Sequence, residues 1–120
     1  ERMEEKYYKA SNVTTGRIIA TRVKIAQDFR SRSVGLLNRS GLCEEEGLLI
    51  RPCNSIHTFF MKFPIDILFL DRSGKIVHIV ESLLPWRFAS SVGSAFMVLE
   101  IYSGSVAKEG IKVMDIIKID

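Results

Sequence analysis

Three side chains that could bind a transition metal recur at every fourth residue of one stretch of the chain: Cys53, His57 and Met61. In a β-strand, residues at even spacing project from one face, so a strand here would align all three. Thiolate, imidazole and thioether are soft ligands of the kind that copper favours, and His78 could add a second imidazole. Cysteine and methionine are also ordinary core residues, and their spacing here is unspecific. We therefore predict neither a metal nor another cofactor.

The same stretch contains the residue types of a nucleophile and its base. His57 could activate Cys53, and Asp66 could orient the imidazole. Catalytic partners normally come from separated segments, because neighbouring side chains on one strand point past each other. The local sequence around Cys53 also matches neither a nucleophile elbow nor a family-specific cysteine context. A metal-binding protein or enzyme that uses these three residues is kept as an alternative, and no catalytic residue is assigned.

Two carboxyl groups interrupt apolar runs. Asp66 lies within residues 64–69, and Glu100 lies within the later apolar run 97–101. Because a buried carboxylate must be hydrogen-bonded or paired, the simplest expectation is that Asp66 accepts backbone N–H groups or an arginine and fixes the turn after Pro64. The functional alternative is a ligand contact at the mouth of a pocket.

The single tryptophan, Trp86, lies in a predicted loop between two strands. It could cover the core or form a stacking platform for a flat ligand, and core packing is the simpler expectation. The candidate ligand-binding residues of the chain are therefore His57, Met61, Asp66, Trp86 and Glu100. They form no catalytic set, so the leading hypothesis is a non-enzymatic module that binds an unidentified small ligand or protein.

Composition is typical of one globular domain: 120 residues, of which 47% are hydrophobic and 26% charged. No run of about 18 apolar residues could span a membrane, and no signal peptide is visible. Two cysteines, Cys43 and Cys53, are too few for a disulfide scaffold, and whether they are bridged stays open. A cytoplasmic location is slightly favoured, and an exported form is compatible with removal of a segment before Glu1.

The net charge of +3 is unevenly distributed. Residues 6–39 contain eight basic side chains and one acidic one, Asp28. Such a segment could bind an anionic partner, although a solvated face is the simpler interpretation. It lacks the interleaved aromatic residues of a single-strand binder, so nucleic acid is an unfavoured partner that is not excluded.

Patterns of short strands separated by turn residues dominate the chain. We predict a flexible N-terminal segment over residues 1–14 and a single β-rich domain over 15–120. The domain is expected to be mainly β, with a β-sandwich or jelly-roll-like architecture or a partly closed barrel, and one short amphipathic helix from Phe29 to about Asn38. A further helical turn is expected at Ser105–Glu109. The predicted strands are 17–26, 47–50, 55–62, 65–70, 75–81, 95–102 and 116–119.

A family resemblance is carried chiefly by the motif S-I-H-T-x-x-M-x-x-P-I-D over residues 55–66. With the flanking motifs, the chain resembles the prokaryotic domain-of-unknown-function family number 192. The resemblance implies a β-sandwich-like or jelly-roll-like fold with a small helix and no established activity. Leu37, Leu48 and Phe60 depart from residues common in the family, which argues against a methionine-rich metal surface. The positions that match family motifs are Gly35, Gly47, His57, Met61, Pro64, Asp66, Glu100 and Gly104.

Overall fold

A curled seven-stranded sheet, close to half of a barrel, organises the protein. The computed structural model describes residues 6–27, 39–91 and 93–120. Its strand order is β6-β5-β8-β3-β2-β1-β9, and β4 pairs with β7 in a separate two-stranded sheet. The elements are β1 (Tyr8–Asn12), β2 (Arg17–Ala26), β3 (Glu46–Ile50), β4 (Ser55–His57), β5 (Ile65–Leu70), β6 (Ile76–Leu83), β7 (Phe88–Ser90), β8 (Met97–Tyr102), α1 (Ser105–Glu109) and β9 (Ile117–Ile119). The predicted mainly β class is confirmed, and the curled sheet corresponds to the partly closed barrel among the predicted architectures.

The strand predicted at residues 65–70 is confirmed as β5, which lies between β6 and β8 with every residue buried. Its side chains alternate between the two faces of the sheet. The buried apolar residues form two clusters, one on each face of this strand. Leu68 and Leu70 belong to one, which we call the first core cluster, and Ile65, Ile67 and Phe69 belong to the other, the second core cluster. Because both faces of this strand are covered, it needs a nearly continuous apolar run.

Strands β2 and β3 run parallel, from the pair Arg22–Glu46 to the pair Ala26–Ile50. A parallel pair requires a crossover connection, which here spans residues 27–45. The helix predicted from Phe29 to Asn38 falls within that connection and lies outside the described residues. The short helical turn predicted at Ser105–Glu109 is present as α1.

The structure differs from the prediction of a flexible segment over residues 1–14, because strand β1 occupies Tyr8–Asn12. This strand pairs antiparallel with both β2 and β9. Ala10 and Asn12 are buried, and the Asn12 amide donates a hydrogen bond to Oδ2 of Asp115 at 2.8 Å. The strand was missed because it is short and polar, and its pairing partner β9 lies at the far end of the sequence.

The strand predicted over residues 55–62 was too long, since β4 ends at His57. Three residues later the backbone of Phe60 enters the left-handed region, with φ of 68°. A β-strand requires negative φ, so the chain must leave the sheet there. Within the described ranges, no helix has the length and apolar character needed to cross a membrane.

Candidate functional site

The structure divides the predicted site residues into two groups. His57 and Trp86 are exposed, whereas Met61, Asp66 and Glu100 are buried. Met61 packs within the second core cluster. The predicted site is therefore not assembled as one pocket, and its members have different roles.

Asp66 is fully buried and hydrogen-bonded to three backbone N–H groups. Its Oδ1 accepts from Ser82 at 2.7 Å, and its Oδ2 accepts from Gly104 at 3.1 Å and Val106 at 2.9 Å. The carboxylate thereby joins the end of β6 to the first turn of α1. This arrangement corresponds to the structural expectation for Asp66, in which its oxygens are occupied by backbone donors.

Glu100 lies on the opposite face of the sheet from Asp66. It stands between Leu48 of β3 and Ile67 of β5, both of which belong to the second core cluster. Burial raises the pKa of Glu100 to about 8, because an apolar environment disfavours the charged form. The described residues supply no hydrogen bond to its carboxyl group. Glu100 therefore holds its proton near neutral pH.

Cys53, His57 and Met61 do not share one face of a strand. The half-buried Cys53 thiol donates to the carbonyl of Ser55 at 2.9 Å, and Nδ1 of His57 accepts from the backbone N–H of Phe59 at 3.3 Å. Met61 points into the core. In the described part of the chain, no three His, Cys, Asp or Glu side chains are grouped closely enough to hold a metal ion.

His57 and Trp86 instead belong to a continuous cluster of exposed rings, which we call the aromatic patch: His57, Phe59, Phe60, Trp86 and Phe88. The ring of Phe59 stacks on His57 with a centroid distance of 4.7 Å and lies 6.0 Å from Trp86. Phe60 contacts Trp86 at 4.6 Å in a tilted arrangement. Phe88 is the cross-strand partner of His57.

The patch is open to solvent to an unusual degree for such large side chains. Phe60 is 67% exposed, Phe88 62% and Trp86 56%. Sequence reasoning selected His57 and Trp86 but missed the three phenylalanines. The adjacent pair Phe59–Phe60 could have indicated the exposed rings. Successive side chains of a strand point to opposite faces, so two neighbouring phenylalanines cannot both face the core.

Thr58 holds the two segments that present these rings. It is fully buried, and its hydroxyl donates to the carbonyl of Leu84 at 2.5 Å and accepts from the N–H of Arg87 at 2.9 Å. Its carbonyl also accepts from the N–H of Trp86 at 2.9 Å and of Met61 at 3.1 Å. Residues 58–61 and 84–87 are thus fixed to each other through one buried side chain and its backbone.

Two residues of the patch have strained backbones. Phe60 has φ of 68° and Trp86 has φ of 65°, a region that costs a non-glycine residue roughly 1–2 kcal/mol. Neither ring recovers this energy by burial in the core, because both are exposed. Strain that persists at exposed aromatic residues is typical of a functional surface.

The surroundings of the patch carry positive charge. Lys62 and Arg87 are both exposed, and the segments 57–62 and 84–88 contain no acidic residue. The patch also lies apart from two clefts of the described residues. Clefts of about 230 and 370 Å³ both run along β2 and include none of its rings.

Two solved structures share this fold. A protein of unknown function from Novosphingobium aromaticivorans superposes with a TM-score of 0.79 at 24% sequence identity, covering 92% of this chain and 82% of that protein. A protein from Sinorhizobium meliloti superposes with a TM-score of 0.83 at 23% identity, covering 99% of this chain and 98% of the other. At these identities the similarity establishes the fold alone.

Three archaeal relatives are more similar in sequence, and each is called a UPF0127 protein. The relative from Thermococcus sibiricus is 35% identical over 79% of this chain, and the matched part covers 64% of the length of that relative. The relative from Pyrococcus furiosus is 32% identical over 87% of this chain and 91% of its own length. The relative from Pyrococcus horikoshii is 38% identical over 75% of this chain and 78% of its own length.

The model of one protein family, described as an uncharacterized ACR, matches residues 10–119. This range includes the S-I-H-T motif and nearly all of the described sheet. The match confirms the resemblance that the motifs predicted, and the chain belongs to the DUF192 family.

Proposed function

We propose that this protein is a non-enzymatic interaction module that binds an apolar, acidic segment of a partner protein through its aromatic patch. The observation that carries the proposal is the chain of ring contacts from His57 through Phe59 and Trp86 to Phe60, exposed on one surface. Contiguous exposed apolar surface of this kind marks interaction sites in soluble domains.

The shape of the patch favours a protein partner over a small molecule. Small ligands bind in concave sites that bury most of their surface, whereas the rings of the patch line neither of the two clefts along β2 and are largely exposed. Protein interfaces are enriched in tryptophan, phenylalanine and arginine, and Trp86, Phe60 and Arg87 supply these residue types together.

The charge of the patch supports an acidic partner segment. Lys62 and Arg87 flank the rings without a neighbouring carboxylate in either segment, so a partner with Asp or Glu beside its apolar residues would be attracted. The rings would supply buried area, and the two cations would select the partner by charge.

The residues of the enzyme alternative are engaged in other contacts, which supports a non-enzymatic role. The Asp66 carboxylate accepts hydrogen bonds from three backbone N–H groups and lies in the sheet interior, so it is not placed to orient His57. The thiol of Cys53 donates to a backbone carbonyl. Cys53, His57 and Asp66 are therefore not arranged as nucleophile, base and orienting group.

The experiment is a selection of peptides from a random phage-displayed library against the purified protein. Peptides that are enriched are then titrated while the fluorescence of Trp86 is followed, which is informative because the chain has a single tryptophan. The variants are Phe60→Asn and Phe88→Ser, since asparagine tolerates the positive φ of Phe60. The matched control is Val13→Ser, which removes an apolar side chain that is 56% exposed outside the patch.

We expect selected peptides to combine aromatic or aliphatic residues with Asp or Glu. Each patch variant should weaken their binding by about tenfold or more, as truncation of an interface anchor does, whereas Val13→Ser should not. Peptides that bind the patch variants and the wild-type protein equally would refute the proposal. A wild-type dimer that Phe60→Asn converts to a monomer would replace the partner protein with a second copy of this chain.

A further inference from the structure

Strand β7, which carries Phe88 of the aromatic patch, lies at the edge of its sheet. Among the described residues it pairs with β4 alone. The register of the two strands is Ser55–Ser90, Ile56–Ala89 and His57–Phe88. In an antiparallel ladder, hydrogen-bonded pairs alternate with pairs whose N–H and C=O groups point away from each other. The direction of each backbone group in β7 therefore depends on which of these pairs are hydrogen-bonded.

Hydrogen bonds at both ends of the ladder determine this order. The N–H of Thr58 donates to the carbonyl of Arg87 at 2.8 Å, and the N–H of Ser91 donates to the carbonyl of Asn54 at 3.0 Å. These two pairs extend the register by one position at each end. Because the pairs alternate, the central pair of the ladder is also hydrogen-bonded, and the pairs that contain the first and last residues of β7 are not. The N–H and C=O groups of those two residues therefore point away from β4.

Four backbone groups are thus available at the open edge of β7. In the part of the chain that the structure describes, the N–H and C=O groups of Phe88 and Ser90 form no hydrogen bond. Both residues are exposed, and Ala89 between them packs within the second core cluster and anchors the strand. An exposed strand edge with unpaired N–H and C=O groups is a template for a further strand.

Other strand edges of the molecule lack this combination of features. On the opposite edge of the same sheet, the outward carbonyl of Ser55 accepts a hydrogen bond from the Cys53 thiol at 2.9 Å. The edge strands of the seven-stranded sheet, β6 and β9, carry none of the five rings of the aromatic patch. The edge of β7 is therefore distinguished by its continuity with the aromatic patch and not by its unpaired backbone groups alone.

A strand added to β7 would extend the row of side chains on the exposed face of the two-stranded sheet. The side chain of Phe88 shares that face with His57, its cross-strand partner, whereas Ala89 faces the core. A residue of the added strand directly opposite Phe88 would project its side chain on the same face, and so would every second residue from there. The apolar residues of such a partner should therefore recur at every second position.

We infer that the partner segment binds in an extended conformation, as a strand added to the edge of β7, with alternate apolar side chains against the aromatic patch. This inference rests on the proposed function, and it specifies that the partner segment is a β-strand and not a helix. The outward groups of Phe88 and Ser90 can form up to four hydrogen bonds with its backbone. In strand addition, these main-chain bonds give affinity, and contacts with alternate side chains give specificity.

The experiment is an N-methyl scan of a peptide that the library selection enriches. Each methylated peptide lacks one backbone N–H and is titrated into the wild-type protein while the fluorescence of Trp86 is followed. A protein variant, Ser90→Pro, removes an outward N–H from β7. The matched control is Ser55→Pro, which removes the outward N–H of the cross-strand partner on β4. Circular dichroism establishes that both variants are folded, and the peptide scan does not depend on them.

We expect methylation to weaken binding by roughly threefold or more at two positions of the peptide that are separated by one unaffected residue. Only alternate N–H groups of an added strand face β7, and the edge offers two carbonyl acceptors to them. Ser90→Pro should weaken binding of the unmodified peptide by a similar factor, whereas Ser55→Pro should leave it within about twofold of the wild-type value.

Two other results would overturn strand addition: methylation without effect at any position, and losses at consecutive residues, as a bound helix would give. If Phe60→Asn still weakened binding of the same peptide, the proposed function would stand without strand addition. Equal binding by Phe60→Asn and the wild-type protein, or a selection that enriches no peptide, would refute the proposed function and strand addition together.

Discussion

Asp66 and Glu100 are both carboxylic acids in the interior of the sheet, and they differ in their hydrogen-bond partners. The Asp66 carboxylate accepts hydrogen bonds from three backbone N–H groups, and these bonds stabilise its negative charge in the interior. Glu100 faces Leu48 and Ile67 and has its pKa raised to about 8. A carboxyl group that is forced to remain neutral makes the stability of the fold depend on pH.

We predict that Glu100→Gln removes a pH dependence of stability between about pH 4.5 and pH 8. In this range folded Glu100 keeps a proton that the unfolded chain releases, since its pKa rises from 4.5 to about 8 on folding. The unfolded state then binds fewer protons, so the free energy of unfolding falls as pH rises, by at most about 1.4 kcal/mol per pH unit. Glutamine resembles the neutral carboxyl group and does not titrate, so the variant should be the more stable protein at pH 8.

The measurement is urea unfolding of the wild-type protein and the variant at several pH values across that range. Glu45→Gln, which alters an exposed glutamate, is the control. The two proteins should have similar stability near pH 4.5 and should diverge as pH rises. A pH dependence that is the same in the wild-type protein and in Glu100→Gln would contradict the prediction.

Individual site residues could be predicted from the sequence only where residue type was informative. The bonds of Asp66 followed from the rule that a buried carboxylate needs partners, and His57 and Trp86 were selected as unusual residue types. The exposed positions of Phe60 and Trp86 could not be predicted, because positive φ is normally marked by glycine or asparagine. Their conformation depends on Thr58, whose hydrogen bonds join segments distant in sequence.

At the scale of elements, the turn between β5 and β6 is fixed to the last strand of the sheet. Gly74 has φ of 92°, and its carbonyl accepts from the N–H of Ile117 at 2.8 Å. A side-chain carbon at Gly74 would lie 2.3 Å from the carbonyl oxygen of Ile117. Only glycine allows this approach, so the hairpin and β9 depend on each other.

We predict that Gly74→Ala destabilises the protein far more than Gly16→Ala. Both glycines have positive φ, but no atom lies within 4 Å of a side-chain carbon placed at Gly16. The strained backbone should cost roughly 1–2 kcal/mol at either position, and the clash should add to this at Gly74 alone. Urea unfolding of both variants provides the comparison. Equal losses of unfolding free energy would show that Gly74 has no special role in joining the hairpin to β9.

Elements with regular alternation or a long apolar run could be predicted, as β2 and β5 demonstrate. The errors arose where tertiary pairing decides the structure. Strand β1 is stabilised between β2 and β9, and the early end of β4 follows from the contacts of Thr58 with residues 84–87. Such pairings join residues far apart in sequence, so they cannot be predicted from the local periodicity of apolar residues.

At the scale of the whole molecule, the aromatic patch is built outside the seven-stranded sheet, on the two-stranded sheet and the loops next to it. None of its five rings belongs to either cluster of buried apolar residues. The surface proposed for binding is therefore distinct from the residues that form the core.

We therefore predict that Phe60→Asn weakens peptide binding without lowering the stability of the fold. The ring of Phe60 is 67% exposed, so its removal takes little apolar surface out of the interior, and substitutions at such positions usually change the free energy of unfolding by less than about 0.5 kcal/mol. Asparagine also adopts the positive φ of this position more readily than phenylalanine does, so the variant could be slightly the more stable protein. The measurement is urea unfolding of the wild-type protein, Phe60→Asn and the control Val13→Ser. A loss of more than about 1 kcal/mol in Phe60→Asn alone would show that the ring stabilises the fold, and it would contradict the separation of the patch from the core.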